Sequence, residues 1–238
     1  MSEPLVSLRR AICRKGGGGA SFELSVEAFD LFPGEYWAVV GPSGSGKSTL
    51  LDAVGLARAP AAADQMLYRA ATGPIDAFAL WRNGRAAQLA ALRRELIGYV
   101  VQTGALLPFL SVSENIRVAG RISDRAPTRS DVETLAERLG VIHLLDRPVS
   151  QASVGERQRV AVARALITQP QLVIADEPTA ALDADNGRVV FGLLTQLCRE
   201  RGAALLCATH DTELATRFGL RRLDCAAGRL QSQEVVAR

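Results

Sequence analysis

Four short runs of apolar residues occur along the chain and predict strands that are buried on both faces. They are Tyr36–Val40, Ile97–Val101, Leu172–Ala175 and Ala203–Thr209. Such a run, without polar positions, is typical of a central strand in a parallel sheet that helices cover on both sides. Segments with helical spacing separate the runs, so the pattern predicts an α/β fold.

The beginning of the chain has a different pattern. Leu5, Val6 and Leu8 indicate a short strand, and from Phe22 to Ala28 apolar and polar residues alternate. A period of two indicates a strand with one exposed face, so the two strands together predict an antiparallel hairpin at an edge of the sheet. Two segments of biased composition are predicted to be loops: Gly16–Gly19 and Ala57–Ala63.

The middle of the chain is predicted to be helical. From about Val112 to Leu145 no run of the buried-strand type occurs. Ser130 and Glu133 have the spacing of a capping box, apolar residues follow at helical spacing, and Gly140 marks a helix end. We therefore expect a helical subdomain, at about residues 103–165, inserted into a single domain that spans residues 1–238.

Composition and charge narrow the class of protein. The chain has 238 residues and a formal net charge of +3, which is too small to indicate nucleic acid as a partner by itself. Its four cysteines form no CxxC pair, so we expect reduced thiols in a cytosolic protein. Neither a leader pattern nor an apolar run of the roughly 18 residues that span a bilayer is present, so neither secretion nor membrane insertion is expected.

The segment Gly41–Ser48 matches the phosphate-loop pattern G-x-x-x-x-G-K-[ST]. Its glycines let backbone N–H groups point at phosphate oxygens, and the following helix presents its positive N-terminal end. Lys47 is expected to reach the β- and γ-phosphates, and Ser48 to bind Mg²⁺. A chance glycine-rich turn is the alternative, but the buried strand before the loop argues against it. The residues expected to contact the nucleotide are Gly41, Pro42, Ser43, Gly44, Ser45, Gly46, Lys47, Ser48 and Thr49.

Two carboxylates and a histidine add candidate chemistry at the ends of predicted strands. Asp176 and Glu177 follow a buried run, which is the Walker-B arrangement: Asp176 is expected in the Mg²⁺ shell, and Glu177 is expected to polarise the attacking water. His210 follows the last run and is expected to donate to the γ-phosphate. Alone, the acidic pair before Pro178 would be a turn and His210 a surface residue, but the phosphate loop favours the functional interpretation.

Further motifs follow in order along the chain: Gln102, Ser153–Val160, Ala181–Asp183 and Thr209–Asp211. With the phosphate loop and the acidic pair, this order resembles the ATP-binding cassette ATPases, from about Leu5 to Leu230. The resemblance implies a P-loop NTPase of the RecA-like type, with an antiparallel β edge subdomain and an inserted helical subdomain. It also implies that two copies enclose two molecules of MgATP.

The resemblance assigns roles to four more residues. Gln102 would contact Mg²⁺ and the attacking water, Ser153 and Gly155 would bind the γ-phosphate of the other copy's ATP, and Asp183 would reach across the dimer interface. Local chemistry leaves plainer roles open. Gln102 could be buried or form a turn, Ser153 also forms a capping box with Glu156, and Asp183 is also a plausible helix N-cap.

The sequence departs from the family pattern at three places, one of which is the segment Ala57–Ala71, where the usual turn after the phosphate-loop helix is missing. Ala152 and Val154 stand where the signature usually has leucine and glycine, and a β-branched residue there is expected to reduce closure without abolishing it, because Gly155 is kept. The aromatic residue that usually stacks on adenine would fall near Lys15 and is missing. Phe22 is a weak substitute for it.

Three short segments indicate a narrower group: Ile97–Gln102, Leu106–Pro108 and Ser113–Ile116. They are similar to ATPases that serve lipoprotein release, macrolide export and bacterial cell division. The implied protein is the ATP-hydrolysing subunit of a transporter or mechanotransmission complex of the cell envelope. A second ATPase subunit, in a homodimer rather than a heterodimer, and an integral-membrane permease are its expected partners. It would lie in the cytoplasm, peripherally on the inner face of the bacterial plasma membrane.

Two other classes of function stay open from the sequence alone. A soluble cassette ATPase acting on nucleic acid or ribosomes would usually carry two cassettes or long inserts, for which 238 residues leave no room. A regulatory ATP-binding protein with weak turnover is suggested by Val154.

Overall fold

The structure, a computed structural model, describes residues 3–15, 22–121 and 126–232. By its internal contacts the chain divides into two compact units, Met1–Arg93 with Ala204–Arg238, and Arg94–Ala203. The predicted loop Gly16–Gly19 lies outside the described residues. In the described part of the chain, none of the helices combines the length and hydrophobicity that crossing a bilayer requires.

Strands and helices alternate along most of the described chain. The strands are β1 (Val6–Lys15), β2 (Phe22–Leu31), β3 (Tyr36–Val40), β4 (Gln65–Ala70), β5 (Gly73–Asp76), β6 (Ile97–Val100), β7 (Leu172–Asp176), β8 (Ala204–Ala208), β9 (Arg221–Ala226) and β10 (Arg229–Ser232). The helices are α1 (Lys47–Val54), α2 (Ala77–Arg82), α3 (Ala86–Leu96), α4 (Val112–Arg121), α5 (Arg129–Arg138), α6 (Val154–Leu166), α7 (Ala184–Glu200) and α8 (Thr212–Arg217). The four apolar runs of the sequence coincide with β3, β6, β7 and β8, which confirms the predicted α/β class.

The sheet of the first unit has the strand order β5-β4-β1-β2-β10-β9-β3-β8. Its parallel part contains β3, paired with β8 on one side and with β9 on the other. The predicted antiparallel hairpin of β1 and β2 is confirmed. Its predicted position at a sheet edge is wrong, because β4 pairs with β1 and β10 pairs with β2. Alternation reports that one face of a strand is exposed, whereas an edge strand is defined by unpaired backbone groups.

The core of the first unit follows the apolar positions of these strands. Leu24 and Val26 of β2 are buried, whereas Ser25 between them and Glu23 before them are exposed, and all five residues of β8 are buried. Helix α1 packs against β1 and β8 through a buried face that includes Leu50. Apolar burial of this kind is the main favourable term in folding, so it holds α1 against the sheet.

The second unit contains β6 and β7, which pair in parallel, and the helices α4 to α7. Helix α6 packs closely on β6: a Cβ atom on Gly98 would lie 2.1 Å from the carbonyl oxygen of Ala165. The described residues of the segment 103–165 include the helices α4 and α5, most of α6 and the short 3₁₀ turns Ile142–Leu144 and Val149–Gln151, joined by loops. Its status as a separate subdomain stays a prediction.

The start of α5 differs from the sequence prediction. Thr128, not Ser130, is the N-cap, and its capping box includes Asp131. Glu133 instead accepts a hydrogen bond from Arg129 Nε (2.6 Å). Both pairs have the same spacing, and the extended backbone of Thr128 decides which one forms the cap. The predicted stop is confirmed, since Gly140 adopts φ +66° just after the helix.

Candidate functional site

The phosphate loop connects β3 to α1 within the first unit. Its backbone turns back on itself, with the Ser45 amide donating to the Pro42 carbonyl oxygen (3.2 Å). Helix α1 has Gly46 as its N-cap and no side-chain cap, so no capping side chain competes with an anion at this helix end. The Ser45 hydroxyl is buried and has no hydrogen-bond partner among the described residues. The loop thus offers uncapped donors at the positive end of a helix.

Two glycines of the loop are required by close packing. A Cβ atom on Gly41 would lie 2.0 Å from the carbonyl oxygen of Cys225 on β9, and one on Gly46 would lie 2.7 Å from Cε1 of Phe22. Gly46 also adopts φ +107°, which favours glycine. Sequence reasoning identified the glycines but missed β9, whose Cys225 thiol also donates to the Ser45 carbonyl oxygen (3.1 Å). No local sequence signal links residues so far apart.

Lys47 lies across the phosphate loop rather than in solvent. Its side chain is buried, and Nζ donates to the carbonyl oxygens of Gly41 (2.9 Å) and Pro42 (3.2 Å). These neutral acceptors hold the ammonium group over the loop, where an anionic phosphate would be a stronger partner. Ser48 is half-buried and Thr49 is buried in the first turn of α1.

His210 reaches the same end of the first unit's sheet as the phosphate loop. Strands β3 and β8 run parallel in register, and the Thr209 amide donates to the Val39 carbonyl oxygen (3.1 Å). The turn is fixed by Asp211, whose carboxylate accepts from the Leu214 amide (2.7 Å) at the start of α8. His210 itself is exposed. The predicted association of His210 with the phosphate loop is therefore supported by the topology of this unit.

In the second unit, Gln102 and Asp176 leave adjacent strands at the same end. Val100 of β6 pairs with Ala175 of β7, Asp176 is the last residue of β7, and Gln102 comes two residues after β6. The ends of parallel strands meet at one edge of a sheet, so the structure brings these two predicted residues together. Both side chains offer oxygen atoms, which are the ligands that Mg²⁺ prefers.

Glu177 adopts an unusual backbone conformation directly after β7. Its φ of +45° lies in the left-handed region, which costs a non-glycine residue about 1–2 kcal/mol. The Glu177 carbonyl oxygen accepts from the Ala180 amide (3.2 Å), so a tight turn fixes the position of this residue. Strained residues cluster at functional sites, which supports the candidate role of Glu177. The sequence carries no sign of this strain.

The signature segment, Ser153–Val160, and Asp183 lie close together in the second unit. Ser153 is the N-cap of α6 in a capping box with Glu156, and Asp183 is the N-cap of α7. Asn186 links them: its Nδ2 donates to Asp183 Oδ2 (2.7 Å), and its Oδ1 lies 3.7 Å from where a Cβ on Gly155 would be. The two plain capping roles are therefore present.

Hydrogen bonds at the starts of α6 and α7 lower the pKa values of two carboxyl groups, those of Glu156 and Asp183. The pKa of Asp183 is lowered mainly by the hydrogen bonds from Asn186. The pKa of Glu156 is lowered mainly by the hydrogen bonds from Ser153, and His143 (3.3 Å) adds to the effect. Both carboxylates are therefore favoured in the ionised form.

The two family departures look different in the structure. Ala152 is buried, and its carbonyl oxygen accepts from Arg157 Nη1 (2.5 Å). Val154 is 46% exposed at the first position of α6. Near the missing adenine-stacking residue, Lys15 is exposed, whereas the Phe22 ring packs on Gly46 of the phosphate loop. Phe22 thus lies beside the candidate nucleotide site, and its stacking role stays a prediction.

The chain is similar in sequence to a known protein family and to several of its members. A family profile described as ABC transporter matches residues 24–180. A lipoprotein-releasing system ATP-binding protein LolD from Shewanella sp. (strain MR-4) is 40% identical over 204 residues, covering 85% of this chain and 84% of that protein. LolD 2 from Caulobacter vibrioides is 38% identical over 241 residues, covering 99% of this chain and 100% of that protein.

Solved structures include a close structural relative. A dimeric, post-hydrolysis state of the ATP-binding cassette MJ0796, bound to ADP and Pi, has a TM-score of 0.82 and 30% sequence identity. The similarity covers 98% of this chain and 99% of that one. It confirms the predicted P-loop NTPase fold.

Proposed function

The chain belongs to the ABC transporter ATPase family, and on that premise we propose that it energises an envelope complex of the lipoprotein-releasing type. It is an ATP-binding and ATP-hydrolysing subunit, and family membership favours transport over the alternative of an ATPase not dedicated to it. The proposal of a lipoprotein cargo depends on one observation: the 38% sequence identity to LolD 2 covers 99% of this chain and 100% of that protein.

The first unit would bind the phosphates of ATP. The phosphate loop presents the uncapped N-terminus of α1, and Lys47 lies over the loop with two weak carbonyl partners. In the proposed complex, Lys47 exchanges these carbonyls for phosphate oxygens and offsets the charge that develops on them. His210, at the same end of the sheet, orients the γ-phosphate.

The residues proposed for Mg²⁺ are Ser48, Gln102 and Asp176. Their hydroxyl, amide and carboxylate oxygens fit this hard cation, which usually takes one or two carboxylates together with phosphates and water. The described residues contain no cluster of three or more histidine, cysteine, aspartate or glutamate side chains that could hold a metal by themselves. When bound with ATP, Mg²⁺ supplies positive charge at the phosphate oxygens.

Glu177 is proposed to act on the attacking water in hydrolysis. A carboxylate held by a tight turn can accept the water's proton as the oxygen approaches the γ-phosphorus. The left-handed backbone of Glu177 fixes where the carboxylate leaves the chain. Gln102, at the end of the neighbouring strand β6, is proposed to position the same water.

A second copy of the chain would complete each site. The signature segment is a helix N-terminus with Ser153 and Gly155 in its first turn, which suits a γ-phosphate bound by the other copy. Asp183 starts α7 beside this segment and would contact the same interface. The dimeric cassette MJ0796 supports a dimer, and a homodimer with an integral-membrane permease at the inner face of the plasma membrane is our proposal.

Reconstitution tests the proposed function most directly. The chain would be co-purified with candidate permease subunits, placed in vesicles that carry a lipid-anchored protein, and assayed for ATP hydrolysis and for release of that protein. We expect the permease to stimulate hydrolysis and release to require ATP, while Lys47→Ala supports neither. Stimulated hydrolysis without release would contradict the proposed cargo, and hydrolysis indifferent to the permease would contradict the proposed partner.

A further inference from the structure

Arg164 connects the helix that carries the signature segment to the loop that follows Gln102. The residue lies on α6, and its guanidinium donates to two consecutive carbonyl oxygens, Gly104 O from Nη2 (2.6 Å) and Ala105 O from Nη1 (2.7 Å). Burial lowers the pKa of Arg164, which means that its charge is partly removed from water. Charged hydrogen bonds in such surroundings are stronger than neutral ones.

The loop adopts a conformation that needs such support. Gly104 and Ala105 both have positive φ angles, +70° and +42°, and the Gly104 amide donates to the Val101 carbonyl oxygen (2.9 Å). A left-handed alanine is unfavourable by itself and persists only where its surroundings hold it. Arg164 binds the carbonyl oxygen of each of these two residues, so it stabilises the turn just after Gln102.

The loop and the strand before it also pack directly on α6. A Cβ atom on Gly104 would lie 3.7 Å from Cβ of Ala161, and β6, which precedes the loop, contacts the backbone of α6 at Ala165. The other end of α6 is the capping box at Ser153. A displacement of the signature segment is therefore transmitted along one helix to the loop of Gln102.

We propose that Arg164 is a positioning residue that couples the placement of Gln102 to the placement of the signature segment. This inference rests on the proposed dimer, in which Ser153 and Gly155 contact the other copy's ATP while Gln102 serves the chain's own ATP. Through Arg164, closure of α6 on the partner's γ-phosphate moves Gln102 into place at the chain's own site. The two ATP sites of the dimer are linked in this way.

Arg164→Met tests the coupling because it removes both donors and keeps an unbranched side chain. We expect kcat to fall by about tenfold or more, since a small misplacement of a positioned group has effects of that size. The affinity for ATP should stay within about twofold, because the phosphate loop is untouched. The Hill coefficient of hydrolysis against ATP concentration should fall towards one. Arg164→Lys, which keeps the charge and one donor, should be intermediate, and it replaces the methionine variant if that variant folds poorly.

Arg201→Met is the matched control. Arg201 also donates to a backbone carbonyl oxygen at this end of α6, that of Leu166, which does not belong to the loop that follows Gln102. Parent-like kcat and cooperativity are expected for this control. Equal losses in both variants, or losses of kcat and ATP affinity together in Arg164→Met, would reduce Arg164 to a structural role. If the parent and Arg164→Met hydrolyse ATP with the same cooperativity, the proposed coupling is contradicted and the dimer is not. If the parent itself shows no cooperativity, the result contradicts the dimer on which the coupling rests.

Discussion

Val154 and Gly155 are adjacent residues whose identities are not imposed by the packing of this chain. Val154 is 46% exposed, and the nearest contact of a Cβ atom on Gly155 would be the Asn186 side chain, at an ordinary distance of 3.7 Å. The fold accepts other side chains at both positions. If substituting them changes ATP hydrolysis, the change therefore comes from a ligand or partner that contacts this helix end. The two residues are thus suitable positions for testing the signature segment.

Val154→Gly is expected to raise basal ATP hydrolysis and strengthen ATP-dependent dimerisation. In the proposed dimer the valine side chain stands where a phosphate needs close approach to backbone amides, and removing it allows that approach. The cost is a loosening of the first turn of α6 by about 0.5–1 kcal/mol. Steady-state hydrolysis of parent and variant, with thermal unfolding of each, measures both effects. Unchanged or lower turnover in a folded variant would mean that the valine does not limit closure.

Gly155→Ala should have the opposite effect on activity. A helical alanine is more stable than glycine by about 0.5–1 kcal/mol, and the space beside Asn186 admits the methyl group. If the backbone here contacts a γ-phosphate, the same methyl group should lower kcat by about tenfold or more. Denaturant unfolding and hydrolysis, measured on one preparation, separate the two changes. Parent-like kcat would argue against a phosphate at Gly155.

Local sequence was enough to identify the phosphate loop, but not the strain or the tertiary contacts of the site. The phosphate-loop pattern Gly41–Ser48 is recognised from the spacing of its residues alone. The left-handed backbone of Glu177 and the close approach of Cys225 to Gly41 depend on the folded backbone. Arg164 gave no sequence signal either, because its partners are backbone carbonyl oxygens of a distant loop.

At the scale of single elements, regular apolar patterns were the reliable signal. The runs of β3, β6, β7 and β8 were predicted, since a strand buried on both faces has few polar residues. The hairpin of β4 and β5 was not identified, although Met66, Tyr68 and Ala70 are buried in alternation. Caps were predicted where one candidate pair exists, as at Ser153, and wrongly where two overlapping pairs compete, as at the start of α5.

Thr128→Ala is expected to destabilise the protein by about 1 kcal/mol, the typical cost of losing a side-chain N-cap. Thr128 Oγ1 accepts from the Asp131 amide (3.1 Å) at this helix start. Ser130→Ala is the matched control, because Ser130 is exposed inside α5 and should change the free energy of unfolding by less than about 0.5 kcal/mol. Urea denaturation of the three proteins gives the comparison. A larger loss in the Ser130 variant would restore the capping box that the sequence indicated.

An ion pair between α5 and α7 should make stability depend on acid pH. Hydrogen bonds from Arg138 (2.7 Å), and then from Gln196 (2.9 Å), lower the pKa of Glu200 from 4.5 to about 2. A lowered pKa in the folded state adds stability above the unfolded value, and this contribution is lost as pH falls from about 4.5 to about 2. The stability difference between the parent and Glu200→Gln should therefore be present near neutral pH and shrink on acidification. A difference that does not depend on pH would contradict this assignment.

At the scale of the whole molecule, each of the two compact units contributes candidate residues. The phosphate loop and His210 belong to the first unit, whereas Gln102, Asp176, Glu177 and the signature segment belong to the second. The order of motifs along the sequence was sufficient to predict the family and the P-loop NTPase fold, and the comparisons confirm both. The roles of the individual residues need variants of this chain, because spacing identifies a motif without measuring what its side chains contact.

Glu177→Gln in MgATP tests the central claim most directly. The amide cannot accept the water's proton, so kcat should fall by about a hundredfold or more while ATP still binds. Closed dimers should then persist, and size-exclusion chromatography with mass detection should report a dimer in MgATP and a monomer without nucleotide. Adding Lys47→Ala to the same variant should abolish the dimer, because the phosphates are no longer held. Parent-like hydrolysis by Glu177→Gln, or a monomer at saturating MgATP, would contradict the account.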